Sequence, residues 1–156
     1  MDTRPMNTSD AALAEHECWA LLRQAAFGRL AVAVGGQPDV FPVNHVVDHG
    51  TIVFRTAEGT KLAALSAASN VAFETDGYDR QTNRAWSVVV KGRASEVRGQ
   101  YEQLEMESLQ VAPWQAGAKP RFIRIEPQEV TGRRFEVADP SAWASPLSGS
   151  PQNHPD

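Results

Sequence analysis

The stretch "AWSVVVKGRASEV", residues 85–97, is thirteen residues long and carries apolar side chains at positions of both parities. A strand with one solvated face alternates apolar and polar residues, whereas here Trp86, Val88 and Val90 fall on one side and Val89 on the other. It reads as a long strand with both faces covered, and the rest of the chain has to supply the cover. Upstream, "NVAFETD" (70–76) is a shorter strand joined to it by the polar loop "GYDRQTN" (77–83). Downstream come a helix "YEQLEMESL" (101–109), a Pro/Gly loop "VAPWQAGAKP" (111–120), a strand "RFIRIE" (121–126) and, past Pro127, a last strand "VTGRRFEV" (130–137).

Toward the N-terminus the pattern changes period. Cys18, Leu21, Leu22 and Ala25 recur at i, i+3, i+4 and i+7, which predicts a helix capped at Asp10 and ended by Gly28. "RLAVAV" (29–34) is then a strand, Gly35-Gly36-Gln37 a turn, and "DVFPVNHVV" (39–47) a second strand. Pro42 cannot donate to a ladder, so it puts that strand at an edge or a bulge. Asp48-His49-Gly50 turns the chain into "TIVFRT" (51–56), so three consecutive strands are expected to form a meander, followed by a short helix beginning near Gly59. About six antiparallel strands with short helices between them imply a mainly β fold, a small barrel decorated by helices. Residues 10–136 form the domain, residues 1–9 are expected to be flexible, and the Pro/Ser-rich 137–156 a disordered tail.

With 156 residues, 42% of them hydrophobic and 22% charged, the chain suits one core. A net charge of -4 without any extended Lys/Arg run argues against nucleic acid as partner. Cys18, the single cysteine, allows no internal disulfide and no cysteine-based zinc site, and lying on the apolar helix face it reads as a packed thiol. The polar opening "MDTRPMNTSD" has no signal-peptide core and no apolar run is long enough to span a bilayer, so a cytoplasmic location is expected. His45, Asp48 and His49 straddle a strand and a turn without supporting ligands, and no metal site is expected. No "GxSxG" nucleophile elbow occurs.

One segment carries a chemical suggestion. In "FRTAEGTKLAAL" (54–65), Arg55 and Thr56 end a strand while Gly59, Thr60 and Lys61 begin a helix, bringing together backbone N–H groups, hydroxyls and cations suited to an anion. Ordinary helix capping explains the same residues. The spacing is not that of a nucleotide P-loop, which needs a glycine where Phe54 stands. In "FPVNHVV", Asn44 and His45 interrupt an apolar strand, and either a ligand ring edge or a neighbouring loop can satisfy them. Trp86 is core or the wall of an aromatic pocket, and Arg133-Arg134 reads as an ion-pairing group.

In order, "FGRLAV", "PDVFPVNHVVDHGTIVFRTAEGTKL", "NVAFETD", "WSVVVKGRASEV" and "RFIRIEPQEVTGRRF" resemble the pyridoxamine 5'-phosphate oxidase-like family of split-barrel flavin-binding proteins, including its nitroimidazole-reductase-like group. The resemblance covers residues 10–136. It implies a homodimer of six-stranded antiparallel split barrels enclosing FMN at the interface, which would cover the second face of the strand at 85–97. It implies Arg55, Thr56, Thr60 and Lys61 at the flavin phosphate, Pro42, Val43, Asn44 and His45 along the ring, and Trp86 and Ser87 from the long strand. Trp114 and Arg121 are further candidates for the open side of the pocket. Pyridoxamine phosphate oxidases close with a C-terminal segment whose Trp and Arg residues hold the substrate phosphate. This chain ends instead in "PSAWASPLSGSPQNHPD", which argues against vitamin B6 as the substrate.

The function implied is an FMN-dependent oxidoreductase or flavin reductase acting on a small molecule the sequence does not name, with His45 as proton donor. The same fold also implies two alternatives, a reductase using a deazaflavin coenzyme and a non-catalytic flavin- or haem-binding protein. The cations Arg55, Lys61, Lys91 and Arg93 do not separate FMN from deazaflavin.

Overall fold

The computed structural model describes residues 10–57, 59, 65, 69–112 and 121–138. In chain order these form β1 (Ala11–Ala12), α1 (Glu15–Gln24), β2 (Phe27–Val34), β3 (Gln37–Asn44), β4 (Val46–Asp48), β5 (Thr51–Thr56), β6 (Ser69–Asp79), β7 (Arg84–Glu96), α2 (Gln100–Ser108) and β8 (Arg121–Glu136). All the strands join one eight-stranded antiparallel sheet in the order β3-β2-β6-β7-β8-β5-β4, with β1 paired to β8. The long strand of the opening stretch is β7, at the middle of this order, its 13 residues paired to β8 and those from Arg84 to Ala94 also to β6.

The two ends of the sheet, β3 and β4, are separated in the chain by His45 alone. The sheet therefore curls until its ends are consecutive segments of backbone, giving an open half-barrel around the main core. This corrects two sequence expectations. The strand expected at 39–47 is divided at His45, with β3 paired to β2 and β4 to β5, so the three strands do not make a meander. Phe41, Val43, His45 and Val47 all keep the inward side through the bend, so the two-residue period does not register the change of partner. Pro42 lies on the edge strand β3 opposite Arg29, as its missing N–H requires.

The strands expected at 121–126 and 130–137 are also one, the 16-residue β8. Lys91 pairs with Glu129 and Gly92 with Pro127, leaving Gln128 as an extra residue at a bulge. The bulge is what lets a proline sit inside a strand. With β1 and the division of β3 from β4, the count among the described residues is eight strands where about six were expected.

Helix α1 starts later than the expected cap at Asp10. Ala14 is the N-cap, and the Glu17 carboxylate accepts its backbone N–H at 3.2 Å. Cys18, Leu21 and Leu22 are buried as the periodicity requires, but the helix ends at Gln24. Gly28, expected to stop it, lies in β2, where the Phe73 ring occupies the space a Cβ would need.

Leu22, Leu30, Ile52, Phe54, Phe73, Val88, Val90, Ile123 and Ile125 form the main core. A smaller core on the other side of β5 and β8 joins Val53, Val97, Met106, Val111 and Phe122. Met106 is the buried residue of α2. Beneath it Arg124 donates to Asp48 at 3.1 Å and contacts the Met106 sulfur at 3.5 Å. Along β7, Val88, Val90 and Ala94 are buried, Ser87 and Val89 half-buried, and Lys91 and Arg93 exposed. Within one chain the long strand is thus covered on one face. Residues 1–9 and 139–156, expected to be flexible and disordered, lie outside the described residues. Val137 is tied to the β6–β7 turn by its N–H to the Asn83 carbonyl at 2.9 Å.

Candidate functional site

At the end of β5, Arg55 is half-buried with Nη1 3.4 Å from the Val111 carbonyl and its guanidinium 5.1 Å above the Phe122 ring. A guanidinium over an aromatic ring is attracted by the ring's negative face and stays charged. Thr56, next along the strand, has its hydroxyl 3.4 Å from the Ala57 carbonyl and sits opposite Arg121. Arg121 donates to Glu96 at 3.2 Å, and the same carboxylate, only 5% exposed, is bound by Arg98 at 3.2 Å. Arg121 thus belongs to an ion-pair cluster beside the strand end. Gly59 is exposed, while Thr60, Lys61 and Trp114 lie outside the described residues.

On β3, Pro42 is exposed, Val43 buried and Asn44 half-buried. His45 is 5% exposed and faces inward, with Nε2 2.8 Å from the Leu22 carbonyl of α1 and its ring edge-on to Phe73 at 4.8 Å. Nε2 donates in that bond, since a carbonyl oxygen only accepts, so neutral His45 keeps a lone pair on Nδ1, which has no hydrogen-bond partner among the described residues. Burial lowers the pKa of this imidazole, and the Leu22 carbonyl offsets only part of that.

On β7, Trp86 is half-buried and lies over Gly77, where its indole fills the space of a Cβ. Ser87 is half-buried between Asp76 of β6 and Arg133 of β8. Trp86 also walls a cavity of about 310 Å³ bounded by Gln24 to Phe27, Arg29, Thr75 and Asp76. Phe27 pairs with Asn44 and Arg29 with Pro42, so these two cavity side chains share a sheet face with Pro42 and Asn44 of the strand expected to line the ring. Arg29 Nη1 donates to Glu74 at 2.9 Å and to Asp76 at 3.1 Å. Burial first, then the Asp76 side chain, raises the Glu74 pKa against the lowering effect of Arg29.

The structure thus brings Pro42, Asn44, Trp86 and Ser87 to one region of the sheet, and places Arg55 and Thr56 with Phe122 in a second group. Phe27, Arg29 and Asp76 were not singled out by the sequence, because Arg29 meets Glu74 and Asp76 only across strands 45 and 47 residues apart. The exposed aromatic Phe27 directly before Gly28 was the available signal. Cys18 is packed as expected, its Sγ within contact of the space above Gly132 and its pKa raised chiefly by burial.

The half-barrel has counterparts among known proteins. Residues 14–134 match the family described as pyridoxamine 5'-phosphate oxidase, and the chain belongs to this family of split-barrel FMN-binding oxidoreductases. An uncharacterized protein of Mycobacterium tuberculosis is 35% identical over 128 residues, covering 79% of this chain and 83% of its own. A protein of known structure from Corynebacterium glutamicum is 36% identical with a TM-score of 0.74, covering 86% of this chain and 100% of its own. A structure described as the FAD binding protein of Mycobacterium smegmatis is 38% identical with a TM-score of 0.69, covering 81% and 99%. No helix among the described residues is long and apolar enough to cross a membrane.

Proposed function

We propose that this protein is an FMN-dependent oxidoreductase or flavin reductase that acts as a cytoplasmic homodimer on a small molecule. The observation that carries the reading is the end of β5, where Arg55, over the Phe122 ring, and the Thr56 hydroxyl bring a cation and a hydroxyl just before Gly59-Thr60-Lys61. That donor set fits a phosphate monoester. Arg55, Thr56, Thr60 and Lys61 would hold the phosphate, Pro42, Val43 and Asn44 would border the ring, and Trp86 and Ser87 would complete the pocket. Bound flavin supplies hydride and electron transfer, and the chain binds, orients and excludes water. The half-exposed outer face of β7 is consistent with cover by a second copy.

The role given to His45 narrows with the geometry. Its Nε2–H is held by the Leu22 carbonyl, so any proton exchange falls to Nδ1, which acts as an acceptor in the neutral ring. A second reading keeps the same phosphate grip but takes FAD, because the Mycobacterium smegmatis relative at 38% identity is described as FAD-binding.

The test is the identity and affinity of the cofactor. The absorption spectrum and mass of the ligand released from purified protein separate FMN from FAD and from a deazaflavin. Lys61→Ala is expected to weaken FMN binding by about 1 to 3 kcal/mol, the value of a charged hydrogen bond. Unchanged affinity in that variant would remove the phosphate assignment.

A further inference from the structure

The cavity at the end of α1 is bordered by a helix C-terminus, by aromatic side chains and by Arg29, whose charge is taken up by two carboxylates. Gln24 and Ala25, the last residue and C-cap of α1, form part of its wall, so the negative end of the helix dipole borders it. Asp76 lines it with a side chain 50% exposed, and the guanidinium of Arg29 is shared between Asp76 and Glu74 at 3.1 and 2.9 Å. Two carboxylates against one cation leave a net negative charge when both are ionised. The Thr75 hydroxyl donates to the Phe27 carbonyl at 3.1 Å, so it does not offer that proton to a ligand. The remaining walls are aromatic, Trp86 and a Phe27 that is 44% exposed. Aromatic faces attract cations and repel anions. At about 310 Å³ the space is at the small end of the range for small-molecule sites.

We propose that this cavity binds a small organic cation bearing a flat ring. Its positive nitrogen faces Asp76 and the end of α1, and its ring lies against Phe27 and Trp86. The dipole, the carboxylate excess and the aromatic faces act in the same direction, and each comes from a different element of the fold. The site shares Trp86 with the proposed flavin pocket and adjoins it where Phe27 and Arg29 pair with Asn44 and Pro42, but none of its charged groups is assigned to the flavin.

The experiment uses the full-length protein in its native oligomeric state with three probes of similar shape: benzylammonium, benzyl alcohol and benzoate. Backbone amide shifts of Ala25, Ala26, Phe27 and Asp76 report occupancy. Benzylammonium is expected to saturate these shifts with at least about tenfold higher affinity than benzyl alcohol, a difference of about 1.4 kcal/mol, and benzoate to bind more weakly than either. Asp76→Asn is expected to remove most of the ammonium's advantage while leaving benzyl alcohol unchanged. If that variant does not fold, raising the salt concentration on the native protein must erode the same advantage. Equal affinity for the ammonium and the alcohol, or shifts confined to other residues, overturns the proposal. FMN binding is measured in the same samples, so its failure alongside intact cation binding counts against the flavin reading alone.

Discussion

His45 is the residue at which sequence and structure say the most different things. In the chain it interrupts an apolar run and suggests a reactive imidazole; in the fold it is an interior group joining the seam of the half-barrel to α1. Its Nε2 bonds the Leu22 carbonyl at 2.8 Å and its backbone N–H the Ala26 carbonyl at 3.3 Å. Because burial lowers its pKa below the ordinary 6.5, the unfolded chain binds a proton more readily than the native one as pH falls through that value. Stability attached to this group is complete above about pH 6.5 and is lost below it, with a limiting slope of about 1.4 kcal/mol per pH unit. His45→Gln retains an N–H for Leu22 but cannot titrate, so its urea-unfolding free energy is expected to fall less steeply than that of the wild type between about pH 6.5 and 5. His45→Ala leaves the carbonyl unpaired in the interior and is expected to cost about 2 to 4 kcal/mol even at pH 8. At this scale local spacing did not separate an anion site from a helix cap near Gly59, and it could not show the burial of His45, which depends on where α1 packs.

Among the elements, β7 and β8 form the longest ladder of the sheet, and their register is adjusted at one point. Gly92 faces Pro127 across the bulge, and a Cβ on Gly92 would overlap the Glu126 carbonyl. Backbone atoms cannot turn aside as a flexible side chain would. Gly92→Ala is therefore expected to destabilise the fold by about 2 kcal/mol or more, read as a lowered denaturation midpoint with unchanged m-value. The sequence marked Pro127 as a strand boundary for a sound local reason, and the ladder runs through it only because β7 has a glycine opposite. Helix α1 shows the converse: the spacing of Cys18, Leu21 and Leu22 specified its buried face correctly, while its ends shifted because the caps compete with strand pairing at Ala11–Ala12 and Phe27.

For the whole molecule, the proposed function makes cofactor and assembly the observables. FMN at about 100 times its dissociation constant is expected to add roughly 2.7 kcal/mol, which for a chain of this size raises Tm by about 5 to 10 °C. Light scattering on a sizing column is expected to give twice the 17.0 kDa of one chain. A colourless protein whose melting FMN does not move would remove the flavin reading while leaving the fold and the family intact.

The amino-acid sequence determined the main strand-forming segments and which face of α1 is buried. These follow from period and from local backbone chemistry, which neighbouring residues express among themselves. Only the tertiary structure decided that one apolar strand changes partner at His45, that two strands fuse across Pro127, and that Phe27, Arg29, Asp76 and Trp86 enclose a common cavity. A side-chain pattern records which face must leave water, but it does not record which distant strand will do the covering. That choice is made by pairing across 45 residues and more, when the sheet curls and its two ends become neighbours in the chain.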